Sequence, residues 1–155
     1  MRLFCLILLL LAPLLTAAAQ EAVTLKVGYF PNLTHAPALV ARQWEREKSD
    51  WFQTHLPPGI KIEWRSFNAG PSAMEALLVG SVDVAFVGPS PVLNAHIRTK
   101  GAEIRVLASV ARGGSALVVR KGLGLKTAEN FRGLRLVTPQ LGNTQDIEAL
   151  SLIHI

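Results

Sequence analysis

The chain alternates short runs rich in β-branched residues with stretches of helical spacing, and this alternation limits the folds that it can adopt. Alternating apolar and polar residues predict strands over 23–29 and 60–64, and the nearly unbroken apolar run 82–87 predicts a strand covered on both faces. Helical spacing predicts helices over 36–48 and 72–80. Strands that alternate with helices in this way favour an α/β fold with a mainly parallel sheet.

The first two helices carry local signals for their faces and ends. The first is expected to bury an apolar face and expose a charged one. The apolar set is Leu39, Val40 and Trp44, and the charged set is Arg42, Glu45, Arg46 and Glu47. The second begins with Ser72-x-x-Glu75, a capping-box pattern in which each side chain accepts from a backbone N–H of the first turn. Gly80 is expected to end this helix.

The alternation continues beyond the third strand. Ser90 and Pro91 fit the N-cap and the first position of a helix that runs from Val92 to about Thr99. There follow predicted strands at 104–110, 116–119 and 134–137, a helical stretch at 127–131 and a last helix that begins at Asn143. Gly-rich residues 112–115 interrupt two apolar runs, and we interpret them as the crossing into a second lobe.

The N-terminus has the features of a secretory signal peptide. Arg2 precedes an apolar run over 3–15, after which Ala17-x-Ala19 forms a cleavage pattern. Because the apolar run is short for a bilayer span, we expect cleavage after Ala19 rather than a retained anchor. The only cysteine, Cys5, lies in this segment, so the exported chain is expected to have neither disulfides nor thiolate-bound metals.

The charged residues do not point to a nucleic-acid partner. The chain has 16 Lys and Arg residues against 11 Asp and Glu residues, and the basic residues are scattered among acidic ones. An exported protein also does not meet DNA, which argues against the effector domain of a transcriptional regulator, a class that can share this fold. We therefore expect no nucleic-acid partner.

The sequence does not predict a catalytic or metal centre. Residues 88–92 (GPSPV) lack the second glycine of the nucleophile elbow that serine hydrolases need. His35, His55 and His96 are isolated, without the spacing of a metal-ligand set. We predict a protein that is not an enzyme and that holds no metal or cofactor.

Four turns at the points where helices begin contain small or neutral polar residues, and three of them also contain glycine or proline. They are 32–35, 68–72, 88–90 and 142–145. In a parallel α/β sheet such turns lie together at the carboxyl ends of the strands, where ligands bind. Unpaired N–H groups and the helix dipole suit each turn to an anion without help from lysine or arginine. Together the turns predict a cleft for a small oxyanion held by neutral donors.

Each turn also has a purely structural explanation. Ser72 and Ser90 are adequate as helix caps, and Gly70 and Gly142 suit tight backbone geometry. His35 fits a ligand contact, a helix-start residue or a solvated side chain equally well. From the residues alone these alternatives stay open.

A second ligand class also stays open. Tyr29, Phe30 and Phe67 lie near the turns and could stack against a heteroaromatic ligand such as a pyrimidine vitamin precursor. The same three side chains fit core positions.

Four segments in order carry a resemblance to a known family. They are LKVGYFPNLTHA at 25–36, GPSAMEAL at 70–77, DVAFVGPSP at 83–91 and TPQLGNTQD at 138–146. The chain, to about Ala149, resembles the nitrate/sulfonate/taurine/bicarbonate family of ABC-transporter substrate-binding proteins. The resemblance implies a periplasmic-binding-protein fold of type II, with two α/β lobes that close on a small anionic ligand. It also implies a periplasmic protein, monomeric when complete, that delivers its ligand to an ABC permease and its ATPase at the inner membrane.

The resemblance also implies a set of ligand contacts and a domain division. The contacts fall on Asn32, Thr34, His35, Gly70, Ser72, Ser90, Gly114, Ser115, Asn143 and Thr144. Residues 1–19 are the signal peptide, 20–111 the N-terminal part of lobe I, and 112–149 the start of an incomplete lobe II. Residues 150–155 match a translation of the transposon end used in sequencing libraries, so we interpret them as an adapter artefact; the alternative is a genuine apolar helix end.

Overall fold

The computed structural model describes residues 22–47, 50–113 and 115–153. Its strands are β1 (Val23–Tyr29), β2 (Ile60–Ser66) and β3 (Val84–Ala85), and its α-helices are α1 (Ala36–Glu47), α2 (Trp51–His55), α3 (Gly70–Leu78), α4 (Pro89–Arg98) and α5 (Thr144–Ile153). Short 3₁₀ helices lie at Leu33–His35 and Ala128–Phe131. Strands and helices alternate as predicted as far as α4, and the predicted signal peptide lies outside the described residues.

The three strands form one parallel sheet in the order β2-β1-β3. β1 pairs with β2 along its whole length, from Val23 opposite Ile60 to Tyr29 opposite Ser66. The chain crosses from β1 through α1 to β2 on one edge, and then through α3 to β3 on the other edge. Such a reversal opens a crevice at the carboxyl ends of the strands between which it occurs, here β1 and β3.

β3 is shorter than the predicted strand 82–87. The residues on either side of it form further hydrogen bonds to β1. The N–H of Asp83 donates to the carbonyl of Lys26 (2.9 Å), and the N–H of Lys26 donates to the Asp83 carboxylate (2.8 Å). On the other side, the N–H of Phe86 donates to the carbonyl of Gly28 (2.9 Å). A side-chain carboxylate thus takes the place of one ladder carbonyl.

α1 packs on the sheet through a different face from the one predicted. Ala38 is fully buried, whereas Val40 is 48 % exposed and Trp44 is 42 % exposed. The expected burial of Val40 and Trp44 is therefore wrong.

Charged residues of α1 take part in this docking, contrary to their predicted place on the solvent face. Arg42 Nη1 donates to the Tyr29 hydroxyl (2.6 Å), and the guanidinium lies 5.2 Å from the centroid of that ring. The Glu45 carboxylate accepts a hydrogen bond from the Trp64 indole. Long side chains can pack their stems on aromatic rings while their charged ends meet polar groups, which is why these positions suit the interface.

α3 begins two residues earlier than predicted, at Gly70, with Ala69 as its N-cap. The Ser72 hydroxyl donates to the Ala69 carbonyl (2.9 Å) and makes no side-chain cap, so the predicted capping box with Glu75 is wrong. Pro71 explains the shift, because the fixed φ of proline and its missing N–H suit the first turn of a helix.

α4 likewise begins at Pro89, with Gly88 as its N-cap, so Ser90 lies inside the first turn and is not the predicted cap. Pro89 occupies the first helical position that was predicted for Pro91.

Residues 104–110, 116–119 and 134–137 do not form the predicted strands. Much of their apolar surface is exposed, most of all at Leu107 and Val118. An extended run becomes a strand only when a neighbour pairs with its N–H and C=O groups, and the described residues supply no such neighbour. The two-lobe arrangement and the boundaries 20–111 and 112–149 therefore stay predictions.

A small apolar core joins α3 to α4. Met74, Ala95 and Ile104 are buried together, and partly buried apolar side chains surround them: Leu77, Leu78, Val87 and Val92. In the described part of the chain no helix combines the length and the hydropathy that crossing a bilayer requires.

Candidate functional site

A cavity of about 1430 Å³ opens at the carboxyl ends of the strands, beside the crevice between β1 and β3. Residues that follow each of the three strands contribute to its wall, and so does the start of α5. Eight of the ten predicted site residues line it: Asn32, Thr34, His35, Gly70, Ser90, Ser115, Asn143 and Thr144. The fold therefore brings together turns that are up to 112 residues apart in the sequence.

The two other predicted residues are placed differently. Ser72 does not line the cavity, and its hydroxyl is bound to the Ala69 carbonyl. Gly114 lies outside the described residues. Ser115 lines the cavity from an exposed, irregular segment.

The first turns of α3 and α4 meet at Gly70. A Cβ atom at this buried glycine would collide with the Pro91 ring and would lie 3.2 Å from Val87 Cγ2. The absence of a side chain at Gly70 thus lets the two helix starts pack against each other.

The first turns of α4 and α5 meet in the same way at Gly88. A Cβ atom there would collide with the Thr144 hydroxyl oxygen and would lie 3.4 Å from Thr144 Cβ. Three helix N-termini consequently converge on one cavity, and two contacts that only glycine permits join them.

The backbone donors at these helix starts are fewer than the sequence suggests. Pro71 has no N–H in the first turn of α3, and Pro89 and Pro91 have none in the first turn of α4, so α4 in particular keeps few donors there. One of them, the N–H of Ser90, donates to Thr144 Oγ1 over 3.4 Å, a long hydrogen bond that a better acceptor could replace.

The α5 start is capped by its own residues. Asn143 is buried, and its Oδ1 accepts from the N–H of Asp146 (2.7 Å). The Asp146 carboxylate accepts from the N–H of Gly142 (2.8 Å) and from the Thr138 hydroxyl (3.1 Å). Asn143 is therefore both a cavity-lining residue and the N-cap of α5, as the predicted start of this helix requires.

In the turn after β1, hydrogen bonds between residues of the turn itself stabilise its conformation. Asn32 Oδ1 accepts from the N–H (3.1 Å) and the hydroxyl (2.6 Å) of Thr34. Both residues are exposed at the cavity mouth.

His35 lies deeper, with its ring centroid 3.9 Å from that of Phe30. Burial lowers the pKa of His35 below its ordinary value of 6.5, because the charged imidazolium loses solvation. At neutral pH the ring is therefore a neutral donor or acceptor.

Cations contribute little to the cavity wall. Of the lysine and arginine side chains in the described part of the chain, Arg105 alone lines the cavity. Its Nη1 already donates to the carbonyls of Gly101 (2.6 Å) and Ile104 (2.9 Å). The polar part of the wall is thus composed mainly of neutral groups.

The three aromatic residues near the turns divide between core and cavity. Tyr29 is buried against Trp64, with ring centroids 5.7 Å apart, and Phe67 packs over Gly28. Phe30 lines the cavity, as does Phe86, which the sequence analysis does not include.

Two residues that shape the site are absent from the predicted set, namely Gly88 and Asp146. Gly88 has an ordinary negative φ, so only its contact with Thr144 reveals its role. Asp146 stands three residues after the N-cap Asn143, and this spacing is the signal that could have identified it. No cluster of three or more His, Cys, Asp or Glu side chains suited to a metal ion occurs among the residues that the structure describes.

Comparisons with known proteins match the sequence of the chain to a family model and to a curated relative. Residues 18–146 match the model of the NMT1-like family. The chain is also 31 % identical over 96 residues to the taurine-binding periplasmic protein of Escherichia coli (strain K12), and the match covers 62 % of this chain and 29 % of that protein. The matched part of the chain thus spans less than a third of that relative's length. No solved structure shows a significant similarity to the chain.

The contact at Gly88 predicts a compensating pair of substitutions. Gly88→Ala should destabilise the complete protein by about 1–2 kcal/mol, because the new methyl group displaces the Thr144 hydroxyl. In a Thr144→Ala background the same change should be neutral or stabilising by up to about 1 kcal/mol, since alanine accepts this backbone conformation. Urea denaturation of the four proteins measures both values, and equal effects in the two backgrounds would contradict the assigned contact.

Burial of His35 predicts a pH-dependent stability. Above pH 6.5 the ring is neutral in both the folded and the unfolded chain. As the pH falls below that value, the unfolded chain takes up the proton first, so the free energy of unfolding decreases until the folded-state pKa is passed. His35→Gln should flatten this part of the stability curve, measured by denaturation between pH 7.5 and pH 5, and an unchanged slope would show that His35 is not buried in solution.

Proposed function

The chain belongs to the NMT1-like family, and we propose that it forms the N-terminal part of an extracytoplasmic solute-binding protein of an ABC importer. The observation that carries this proposal is the convergence of three helix N-termini on one cavity at the point where the strand order reverses. Open α/β sheets bind ligands at this position, and helix N-termini stabilise negative charge there. We propose that the protein binds its ligand and releases it unchanged, and we assign it no catalytic role.

The ligand we propose is a small oxyanion such as a sulfonate, taurine, nitrate or bicarbonate. Backbone N–H groups and the hydroxyls of Ser90 and Thr144 offer neutral donors at the helix starts. A sulfonate or nitrate group presents several acceptor oxygens to such donors without requiring a cation. The name of the matched relative, a taurine-binding protein, agrees with this chemistry.

One carboxylate favours taurine over a simple alkyl sulfonate. Glu148 lines the cavity four residues after Thr144, on the same face of α5. Four residues of helix advance by about 6 Å, a span that fits the distance from a sulfonate to the ammonium group of a short amino sulfonate. Thr144 would then face the anionic end of the ligand and Glu148 the cationic end.

Capture follows from closure around the ligand. The turns after β1, β2 and β3 supply one wall, and Asn143 and Thr144 supply the other. A ligand that contacts both walls stabilises the closed state by its differential affinity, and the closed state is the form that a permease can recognise. We propose a permease and its ATPase as partners, the periplasm as the location, and a monomer as the complete protein.

A second ligand class has one observation in its favour. Phe30 and Phe86 line the cavity and could stack against a heteroaromatic ring such as a pyrimidine.

Binding of an oxyanion predicts a rise in melting temperature. The complete protein would be screened by thermal shift with taurine, ethanesulfonate, nitrate, bicarbonate and pyrimidines. A ligand present at 100 times its Kd should stabilise the folded state by about 2.7 kcal/mol, which shifts the melting temperature by several degrees. A shift with taurine that exceeds the shift with ethanesulfonate is expected, and a shift with pyrimidines alone would transfer the assignment to the second class.

Two serines at helix starts provide a matched test of the site. Ser90→Ala should weaken binding of the stabilising oxyanion by about tenfold, because it removes a hydroxyl at the cavity wall. Ser72→Ala should leave the affinity unchanged, since that hydroxyl is bound to Ala69 and does not line the cavity. Isothermal titration calorimetry measures both affinities, and equal losses would remove the assignment of Ser90.

A further inference from the structure

Asp146 organises the segment that leads into α5 without lining the cavity itself. One carboxylate oxygen accepts from the Thr138 hydroxyl (3.1 Å), and the other accepts from the N–H of Gly142 (2.8 Å). The two bonds tie both ends of the turn 138–142 to the first turn of the helix. Hydrogen bonds to an ionised carboxylate are among the stronger ones in proteins, so they restrict this turn.

The backbone of Asp146 completes the arrangement. Its N–H donates to Asn143 Oδ1 (2.7 Å), so Asn143 and Asp146 hold each other in place. Gly142, between the turn and Asn143, has φ +77°, a conformation that side-chain-bearing residues rarely adopt. The position of Asn143 is thus restricted by the conformation of Gly142 before it and by the hydrogen bond from Asp146 after it.

Thr144 follows directly, and its hydroxyl reaches the N–H of Ser90 on α4. A shift of the 138–142 turn would move Asn143 and Thr144 together, because the three are consecutive along the backbone. The geometry at the cavity wall therefore depends on a side chain that lies behind it.

The charge of Asp146 acts in the opposite direction. A carboxylate near an anion site repels the anion and offsets part of the α5 dipole. If charge alone mattered, removal of Asp146 would tighten anion binding. The hydrogen bonds predict the reverse, so the two effects can be separated by their sign.

We infer that Asp146 is a positioning residue of the anion site, which it serves by holding the 138–142 turn so that Asn143 and Thr144 face the cavity. This inference rests on the proposed function. It adds to that function a residue that does not touch the ligand and whose charge by itself disfavours binding.

The test compares two variants that remove the same charge. Asp146→Ala loses both side-chain hydrogen bonds, whereas Asp146→Asn can keep both, with its amide oxygen toward Gly142 and its NH₂ group toward the Thr138 hydroxyl. The probe is whichever of taurine, ethanesulfonate, nitrate and bicarbonate binds the unaltered complete protein most tightly. Calorimetry is done well below the melting temperature of each variant.

We expect Asp146→Ala to weaken the probe by about tenfold and Asp146→Asn to bind within about threefold of the unaltered protein. Equal affinities of the two variants would overturn the inference, whether both are weakened or neither is. A lower melting temperature of Asp146→Ala with an unchanged Kd would also overturn it, because that is the result of a purely structural role.

Two further variants keep the inference testable if Asp146→Ala does not fold. Thr138→Val removes one of the two bonds without changing any charge, and it should weaken the probe by about threefold. Glu75→Ala removes an exposed carboxylate from α3, outside this cavity, and should leave Kd unchanged. An unchanged Kd in Thr138→Val would contradict the inference.

A double-mutant comparison tests whether Asp146 acts on the site through Thr144. In a Thr144→Ala background, Asp146→Ala should lose clearly less than tenfold, since two residues in one hydrogen-bonded chain have non-additive effects. A full additional loss would mean that Asp146 does not act through Thr144. If the unaltered protein binds none of the four probes, the proposed function fails, and that outcome is distinct from failure of the positioning role.

Discussion

The pairing of β1 on both of its edges is the constraint on which the rest of the structure depends. β1 meets β2 in full register and β3 through a short ladder that the Asp83 carboxylate extends. Because the chain fills one edge of β1 before it crosses to the other, the loops after β1 and β3 diverge and leave a crevice. Three turns that are far apart in the sequence meet there.

Close approach of helix starts converts this crevice into a cavity with polar walls. Gly70 and Gly88 permit contacts with Pro91 and Thr144 that any side chain would prevent. The prolines in the same turns remove N–H groups, so few backbone donors remain there. For the proposed ligand site, we therefore expect selection of ligands by geometry more than by net charge.

The starts of the two helices that meet at Thr144 differ in how their N–H groups are hydrogen-bonded. α5 is capped internally by Asn143 and Asp146, which makes its first turn rigid. α4 has no side-chain cap of its own and has the N–H of Ser90 directed at the Thr144 hydroxyl over a long distance. The capped first turn of α5 therefore faces a helix start whose Ser90 donor is only weakly engaged.

The sequence alone determined the alternation of strands and helices and the parallel sheet, since local periodicity and turn residues report on both, and four motifs in order carried the resemblance to the family. It did not predict the face of α1, where Ala38 is buried and Arg42 and Glu45 meet aromatic rings, because that choice depends on which groups the sheet presents. Nor did it predict the helix starts at Gly70 and Pro89, the failure of 104–110 to pair, or the role of Asp146. The order β2-β1-β3 and the contacts at Gly70 and Gly88 were decided by the tertiary structure, because they join residues that no local pattern relates.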